Sequence, residues 1–384
     1  MISWTPELAA AQLRAPGPSD DKYRRGVLSL RTGSSAYPGA AVLGVEAAWR
    51  TGVGLLRYEP PIDDLPPRFE LLSPAAAVLA ARPETVFGVD PAGRTDAWLI
   101  GSGTDPARSS AAEAAALREV LTGAAPVVVD AGALRLAVEI RGFAIGRAAS
   151  AADRSLFRRG DARRGSATTA GAGPFGPPLI LTPHAGEFAT LWSDLDLGPL
   201  PGDATAPVPA THADRPAAPR ADRPTAPRLT ERLSARADAA AALAARVRAT
   251  VLLKGSVTLV ATPDGQVLAS GPATPWLATA GTGDVLAGIL GALVASRAAE
   301  IREDPELLGP LGATAALLHD VAARTAAGDD SVVAGHTPSS HALAESPDPG
   351  VAAPSGRPIT ALDVAHALPQ AVASLLALAP PSQP

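Results

Sequence analysis

Short apolar runs that end in glycine or in a polar cluster recur along this chain, and helix-forming segments separate them. Residues 27–32 run into Gly33, Ser34 and Ser35. A helix opened by Tyr37-Pro38-Gly39-Ala40-Ala41 follows and stops near Gly52, and residues 54–58 form the next strand. Residues 97–100 end in Gly101-Ser102-Gly103-Thr104-Asp105-Pro106, ahead of an alanine-rich helix over 109–121. Residues 126–129 end at Asp130, 179–181 at Thr182-Pro183-His184-Ala185-Gly186-Glu187, and 251–253 at Lys254-Gly255-Ser256. Strand, turn, helix and strand, repeated, make βαβ units, so the pattern predicts an α/β fold with a mostly parallel sheet. A hairpin is expected over 257–261 and 266–269 around Pro263-Asp264-Gly265, and further helices over 229–248, 311–327 and 360–378. In open α/β sheets ligands bind outside the carboxyl ends of the strands, where this chain collects its glycines and polar residues.

The most distinctive turn is Gly281-Thr282-Gly283-Asp284, which leads into apolar residues with helical spacing at Val285, Leu286, Ile289, Leu290 and Leu293. Unpaired N–H groups and the positive end of a helix dipole at such a turn suit an anion such as phosphate. A carboxylate beside an anion hole makes sense if it takes a proton from a hydroxyl that then attacks phosphorus. Asp284 is equally suited to a plain helix cap. Small residues at Gly39, Ala40 and Ala41 allow close approach of either a ligand or another helix.

A 47% hydrophobic content is ample for a core, and a formal charge of −5 without a basic stripe speaks against nucleic acid. No cysteine is present, which removes disulfides, thiol catalysis and cysteine-ligated zinc. The apolar stretch over 285–295 is too short to span a bilayer, and the first 18 residues lack a signal-peptide core, so a cytoplasmic protein is expected and no membrane partner. Only Lys22 and Lys254 accompany 31 arginines. A lysine kept where arginine carries nearly all positive charge suggests a role for a compact ammonium.

Three segments break the alternation: 142–178, 194–228 and 328–358. The second holds a tandem octapeptide, Ala-Asp-Arg-Pro-Ala-Ala-Pro-Arg at 213–220 and Ala-Asp-Arg-Pro-Thr-Ala-Pro-Arg at 221–228. None has the periodicity that would offset the entropy of ordering, so all three read as surface insertions, partly disordered, in a single domain over 1–384.

Taken in order, the motifs resemble the ADP-dependent NAD(P)H-hydrate dehydratases of the ribokinase-like superfamily. The matching pieces are Lys22-Tyr23-Arg24-Arg25-Gly26, Pro38-Gly39-Ala40-Ala41, Gly101-Ser102-Gly103, Asp130-Ala131-Gly132-Ala133-Leu134, Leu181-Thr182-Pro183-His184-Ala185-Gly186-Glu187, Lys254-Gly255-Ser256-Val257-Thr258 and Thr279-Ala280-Gly281-Thr282-Gly283-Asp284. A weaker match continues through Leu317-Leu318-His319. Where the family usually has His before the Lys-Tyr pair, this chain has Asp21.

The resemblance implies a three-layer α/β/α fold and repair of NADH or NADPH hydrated on the nicotinamide ring, with ADP as co-substrate and Mg2+ as cofactor. It implies Asp284 as the base, with Ala40, Gly103, His184 and Asp284 on the hydrate. It places Lys254, Gly255, Ser256, Val257, Thr258 and Gly283 on the nucleotide, and an anion hole on the N–H groups of Gly281, Thr282, Gly283 and Asp284. Metal ligands stay open, since Glu187 suits either magnesium or the orientation of His184, and Asp130 reads as a possible turn former. A homotetramer and a working partnership with a separate NAD(P)H-hydrate epimerase are also expected, because no segment here is long enough to be an epimerase domain. Other readings are a kinase of the same fold acting on a vitamin-like alcohol, and a nucleotide sensor without catalysis.

Overall fold

The computed structural model describes residues 1–62, 71–88, 94–105, 109–157, 175–201, 229–329 and 355–379. The expected alternation is present. From the N-terminus it runs β1 (Ile2–Ser3), α1 (Pro6–Ala10), β2 (Val27–Arg31), α2 (Pro38–Thr51), β3 (Leu55–Tyr58), α3 (Pro74–Ala81), β4 (Val86–Phe87), β5 (Ala97–Ile100), α4 (Ala111–Thr122) and β6 (Val127–Val129). It continues through α5 (Leu134–Phe157), β7 (Leu179–Leu181), α6 (Ala185–Asp194), α7 (Leu229–Val247) and β8 (Thr250–Leu253), then the hairpin of β9 (Thr258–Ala261) and β10 (Val267–Ser270). Four helices close it: α8 (Thr282–Ser296), α9 (Ala298–Glu303), α10 (Leu308–Ala327) and α11 (Ala361–Leu376).

Among the described residues the strands form one sheet in the order β1-β10-β9-β8-β7-β6-β5-β2-β3-β4. From β8 to β4 every neighbouring pair is parallel, while β9 pairs antiparallel with both β8 and β10. Successive side chains of a strand point to opposite faces, and each face here has its own helix layer. Leu28, Leu30, Val128, Ile180 and Leu252 pack with α2, α8, α10 and α11. Val127, Val129, Leu179, Leu181, Val251 and Leu253 pack with α4, α5, α6 and α7. The result is the three-layer α/β/α arrangement.

Local chemistry sets the helix ends. Pro38 stands in the first turn of α2, and Gly52, with φ +107°, closes it in the left-handed conformation. Ser110 accepts from the Glu113 N–H to cap α4, and Thr360 with Asp363 forms a capping box on α11. Helix α8 is buried on nearly every side, which explains its almost continuous apolar sequence.

Two differences from the sequence reading have local causes. The N-terminus, which reads as a loose start, pairs its strand β1 in parallel with β10, and the Trp4 indole donates to Thr314 Oγ1 at 3.1 Å. Two residues of strand carry no periodicity to read. The first segment read as an insertion begins inside α5, because 142–157 continue that helix; Gly142 and Gly146 lower its helix propensity and hide it. Residues 158–174, 202–228 and 330–354, the bulk of the three expected insertions, lie outside the described residues. The chain positions flanking the last of them sit together, since the Arg357 N–H donates to the Ala327 carbonyl at 3.0 Å. No helix of the described residues is long and apolar enough to cross a membrane.

Candidate active site

In sheet order β5 lies beside β2 on the side opposite β3, so the chain reverses direction across the sheet between β2 and β5. Such a reversal leaves a crevice at the carboxyl edge. Backbone bonds lace the strand ends into one rim. The Gly33 N–H donates to the Ser102 carbonyl at 2.7 Å, Gly101 N–H to Arg31 at 3.2 Å, and Lys254 N–H to Pro183 at 2.9 Å. Gly101 has φ +95°, and a Cβ there would lie 2.1 Å from the Asp130 carbonyl oxygen. Gly103 has φ +67°, and its Cβ would meet the Ala40 Cβ at 2.3 Å. Two residues assigned to the hydrate by resemblance, Ala40 and Gly103, are therefore in contact.

Asp130 ends β6 and is 3% exposed. It accepts from Lys254 Nζ at 2.8 Å and Thr182 Oγ1 at 2.7 Å on one oxygen, and from Ser102 Oγ at 2.8 Å on the other. Burial alone would raise its pKa, but the Lys254 ammonium and these hydrogen bonds hold it below the usual carboxylate range. For Lys254, burial works against the charge, yet the carboxylates of Asp130, Glu187 and Asp284 outweigh it and keep the ammonium protonated beyond its ordinary range. A Cβ on Gly283 would stand 3.8 Å from Lys254 Nζ, so these two nucleotide positions face each other.

Helix α8 begins at the glycine turn. Gly281 is left-handed at φ +87°, where a β-carbon would be strained and would also meet Leu43 Cδ1 at 2.6 Å. The expected anion hole narrows by one group. The Asp284 N–H donates to the Gly281 carbonyl at 3.1 Å, as does that of Val285 at 3.2 Å. The N–H groups of Gly281, Thr282 and Gly283 have no acceptor among the described residues. The Thr282 hydroxyl turns inward, onto the carbonyls of Leu277 and Thr279 at 3.0 and 2.9 Å, and pins the turn. Burial, with the Asp130 charge adding to it, pushes the Asp284 carboxyl up to about 6, against the opposing Lys254 charge and Ser102 hydroxyl. A capping aspartate in water would not be raised in this way.

His184 is the N-cap of α6. Its Nδ1 accepts from the N–H groups of Gly186 and Glu187 at 3.0 and 3.2 Å, while Glu187 Oε2 accepts from the His184 N–H at 2.8 Å. That capping box fixes the ring with the neutral-form proton on Nε2, and its side chain is 61% exposed. One ring nitrogen of His184 thus holds the helix and the other faces outward, 3.6 Å from Glu187 Oε1. No hydrogen bond or ion pair joins His184 to Ala40, Gly103 or Asp284 among the described residues. Of the other nucleotide positions, Gly255, Ser256 and Val257 form the turn between β8 and β9, and Thr258 opens β9. There Val257 is buried in the second core, and the Ser256 carbonyl accepts from the Ala273 N–H at 2.8 Å.

Residues with no role on sequence grounds are Ser102, Thr182 and His319. Ser102 and Thr182 touch Asp130. His319 is buried beneath the Thr282 backbone with Nε2 unpartnered among the described residues, and burial lowers its pKa to about 4. The sequence signal for Asp130 is an acid ending a three-valine strand in a chain with almost no lysine to pair with it. No group of three or more metal-ligating side chains converges among the described residues.

Comparisons with known proteins bear on the family and the fold. A family model described as NAD(P)H-hydrate dehydratase matches residues 28–144 and 173–345. The bifunctional NAD(P)H-hydrate repair enzyme Nnr of Mycobacterium tuberculosis is 35% identical over 289 residues, 75% of this chain, which spans 44% of that relative's length. The ADP-dependent (S)-NAD(P)H-hydrate dehydratase of Xanthomonas campestris pv. campestris is 30% identical over 299 residues, 75% of this chain and 80% of that protein. The fold matches the crystal structure of an ADP/ATP-dependent NAD(P)H-hydrate dehydratase from Bacillus subtilis, co-crystallized with ATP/Mg2+. It has a TM-score of 0.59 and 23% identity, with 97% of this chain and 98% of that one covered. A ribokinase-like superfamily protein of Enterococcus faecalis has a TM-score of 0.57 at 17% identity, covering 97% of this chain and 96% of its own.

Proposed function

The chain belongs to the NAD(P)H-hydrate dehydratase family, and we propose that it catalyses the ADP-dependent dehydration of hydrated NADH or NADPH, releasing AMP and phosphate. The observation that carries this reading is Asp284, a carboxyl raised to about 6 beside the Lys254 ammonium and beside three N–H groups that find no acceptor among the described residues. A base poised there needs a hydroxyl to deprotonate and a phosphoryl group to receive the attack.

Asp284 takes the proton of the ring hydroxyl, and the oxygen attacks the terminal phosphorus of ADP, with AMP leaving. The ring nitrogen lone pair then expels phosphate from the same carbon, and loss of a proton from the adjacent ring carbon restores the double bond. Gly281, Thr282 and Gly283 N–H groups and Lys254 hold the charge on the transferred group. The backbone of residues 254–258 and Gly283 carries the AMP part, and Ala40, Gly103 and His184 border the hydrate. Magnesium bound with the nucleotide would supply charge neutralisation, and Glu187 is the side chain that would help hold it. Relatives that are bifunctional repair enzymes support a working association with an epimerase.

The test is incubation of the purified chain with hydrated NADH, magnesium and ADP, following recovery of reduced-nicotinamide absorbance and the phosphorus NMR spectrum. AMP, inorganic phosphate and NADH in equal amounts are expected. A stable phosphoester formed on a vitamin-like alcohol, without recovery of NADH, would make the chain a kinase instead.

A further inference from the structure

We propose that Asp130 is a positioning residue that couples the two halves of this site, fixing Lys254 beside the Gly281–Gly283 turn and fixing the Ser102 hydroxyl between itself and Asp284. The proposal rests on the reading of Asp284 as the base.

A turn-forming aspartate accepts from the backbone N–H groups that follow it. Asp130 does not: the short 3-10 turn of residues 131–133 starts from it with no side-chain cap bond. Its oxygens point across the sheet edge instead, to side chains from the ends of three other strands: Ser102 after β5, Thr182 after β7 and Lys254 after β8. The local backbone is bent to allow this. Ala131, with a β-carbon, sits at φ +39°, a region costly for residues other than glycine, and such strain gathers at functional sites. For fold stability alone, an apolar residue at this position would do as well as a buried ion pair.

The two arms act on different partners. Lys254 faces the turn where a nucleotide phosphate would sit, and the other acids that act on it are Glu187 and Asp284. Ser102 has one hydroxyl proton and two carboxylates within its influence, Asp130 and Asp284. The groups facing Asp284 are thus Asp130, Lys254 and Ser102, and Asp130 touches both of the others. Removing its charge lets Asp284 ionise more readily, whereas removing the Ser102 hydroxyl makes ionisation harder.

Two variants of the full chain test this: Asp130→Asn and Ser102→Ala, each assayed with hydrated NADH and ADP over pH 5–9 and titrated with AMP by calorimetry. Asp130→Asn should weaken AMP binding and raise the KM for ADP at least about tenfold, with less change in the KM for hydrate, and should move the acid limb of kcat/KM to lower pH. Ser102→Ala should move the same limb to higher pH and leave AMP affinity alone. Native AMP affinity and an unmoved acid limb in folded Asp130→Asn would overturn the proposal. If that variant does not fold, an unmoved limb in Ser102→Ala would do so. A wild-type chain inactive on hydrate and ADP would instead refute the proposed function, a result distinct from either.

Discussion

Gly288 of α8 faces the carbonyl of Gly44 in α2 so closely that a Cβ on Gly288 would lie 2.3 Å from that oxygen. The crossing seats α8, and with it the Asp284 turn, against the sheet. Gly288→Ala should cost about 1–3 kcal/mol of stability through overpacking and weaken AMP binding as the helix shifts. Urea unfolding and calorimetry read the two effects, and an unchanged unfolding midpoint would show that the helices adjust freely.

Asp284→Asn keeps the size of the side chain but cannot accept a proton. Turnover of hydrated NADH should fall about a thousandfold or more, while AMP still binds and the melting temperature holds. Near-normal turnover would leave Asp284 as a helix cap.

Activity should fall as pH drops through about 6, because Asp284 acts only when ionised and burial has raised its pKa to that level. The acid limb of kcat/KM for the hydrate reports it. A limb near pH 4, the range of an ordinary carboxylate, would mean that a different group is the base.

Lys254→Met strands the buried Asp130 carboxylate without its cation and should cost about 3–5 kcal/mol. The double variant Lys254→Met/Asp130→Leu removes both members of the pair and should recover much of that loss while remaining unable to bind nucleotide tightly. Additive losses in chemical denaturation would contradict the pairing.

His319 is held neutral by burial, with its pKa lowered from 6.5 to about 4. A depressed folded-state value means that its contribution is fully present above pH 6.5 and is lost as pH falls through 4. That loss is on the order of 3 kcal/mol. His319→Gln should flatten this part of the stability curve, which urea melts at several pH values would show.

The fold was legible in the sequence because its signals are local. Buried strands such as residues 97–100, 127–129 and 251–253 are short apolar runs with a hard polar stop, and the α2 and α8 termini carry proline and glycine where backbone geometry needs them. The candidate positions could be named for the same reason, since each stands at a strand end or a helix start. Local signal fails where pairing is remote or brief. The two residues of β1 have no period, and Gly142 and Gly146 mask the continuation of α5.

What the sequence determined by itself, then, is the order of strands and helices, the edge at which glycine and polar residues collect, and the identity of the Gly281–Asp284 turn. What tertiary structure alone decided is the electrostatic state of that edge. Lys254 meets Asp130 across 124 positions of chain, Ser102 donates to the same carboxylate from the end of another strand, and Asp284 is raised because burial and a neighbouring charge coincide there. Hydrophobic period and turn chemistry act between residues a few positions apart. The energy of a charge depends instead on its burial and on which other charges lie within a few ångströms, and those are set only when distant strands close into one sheet.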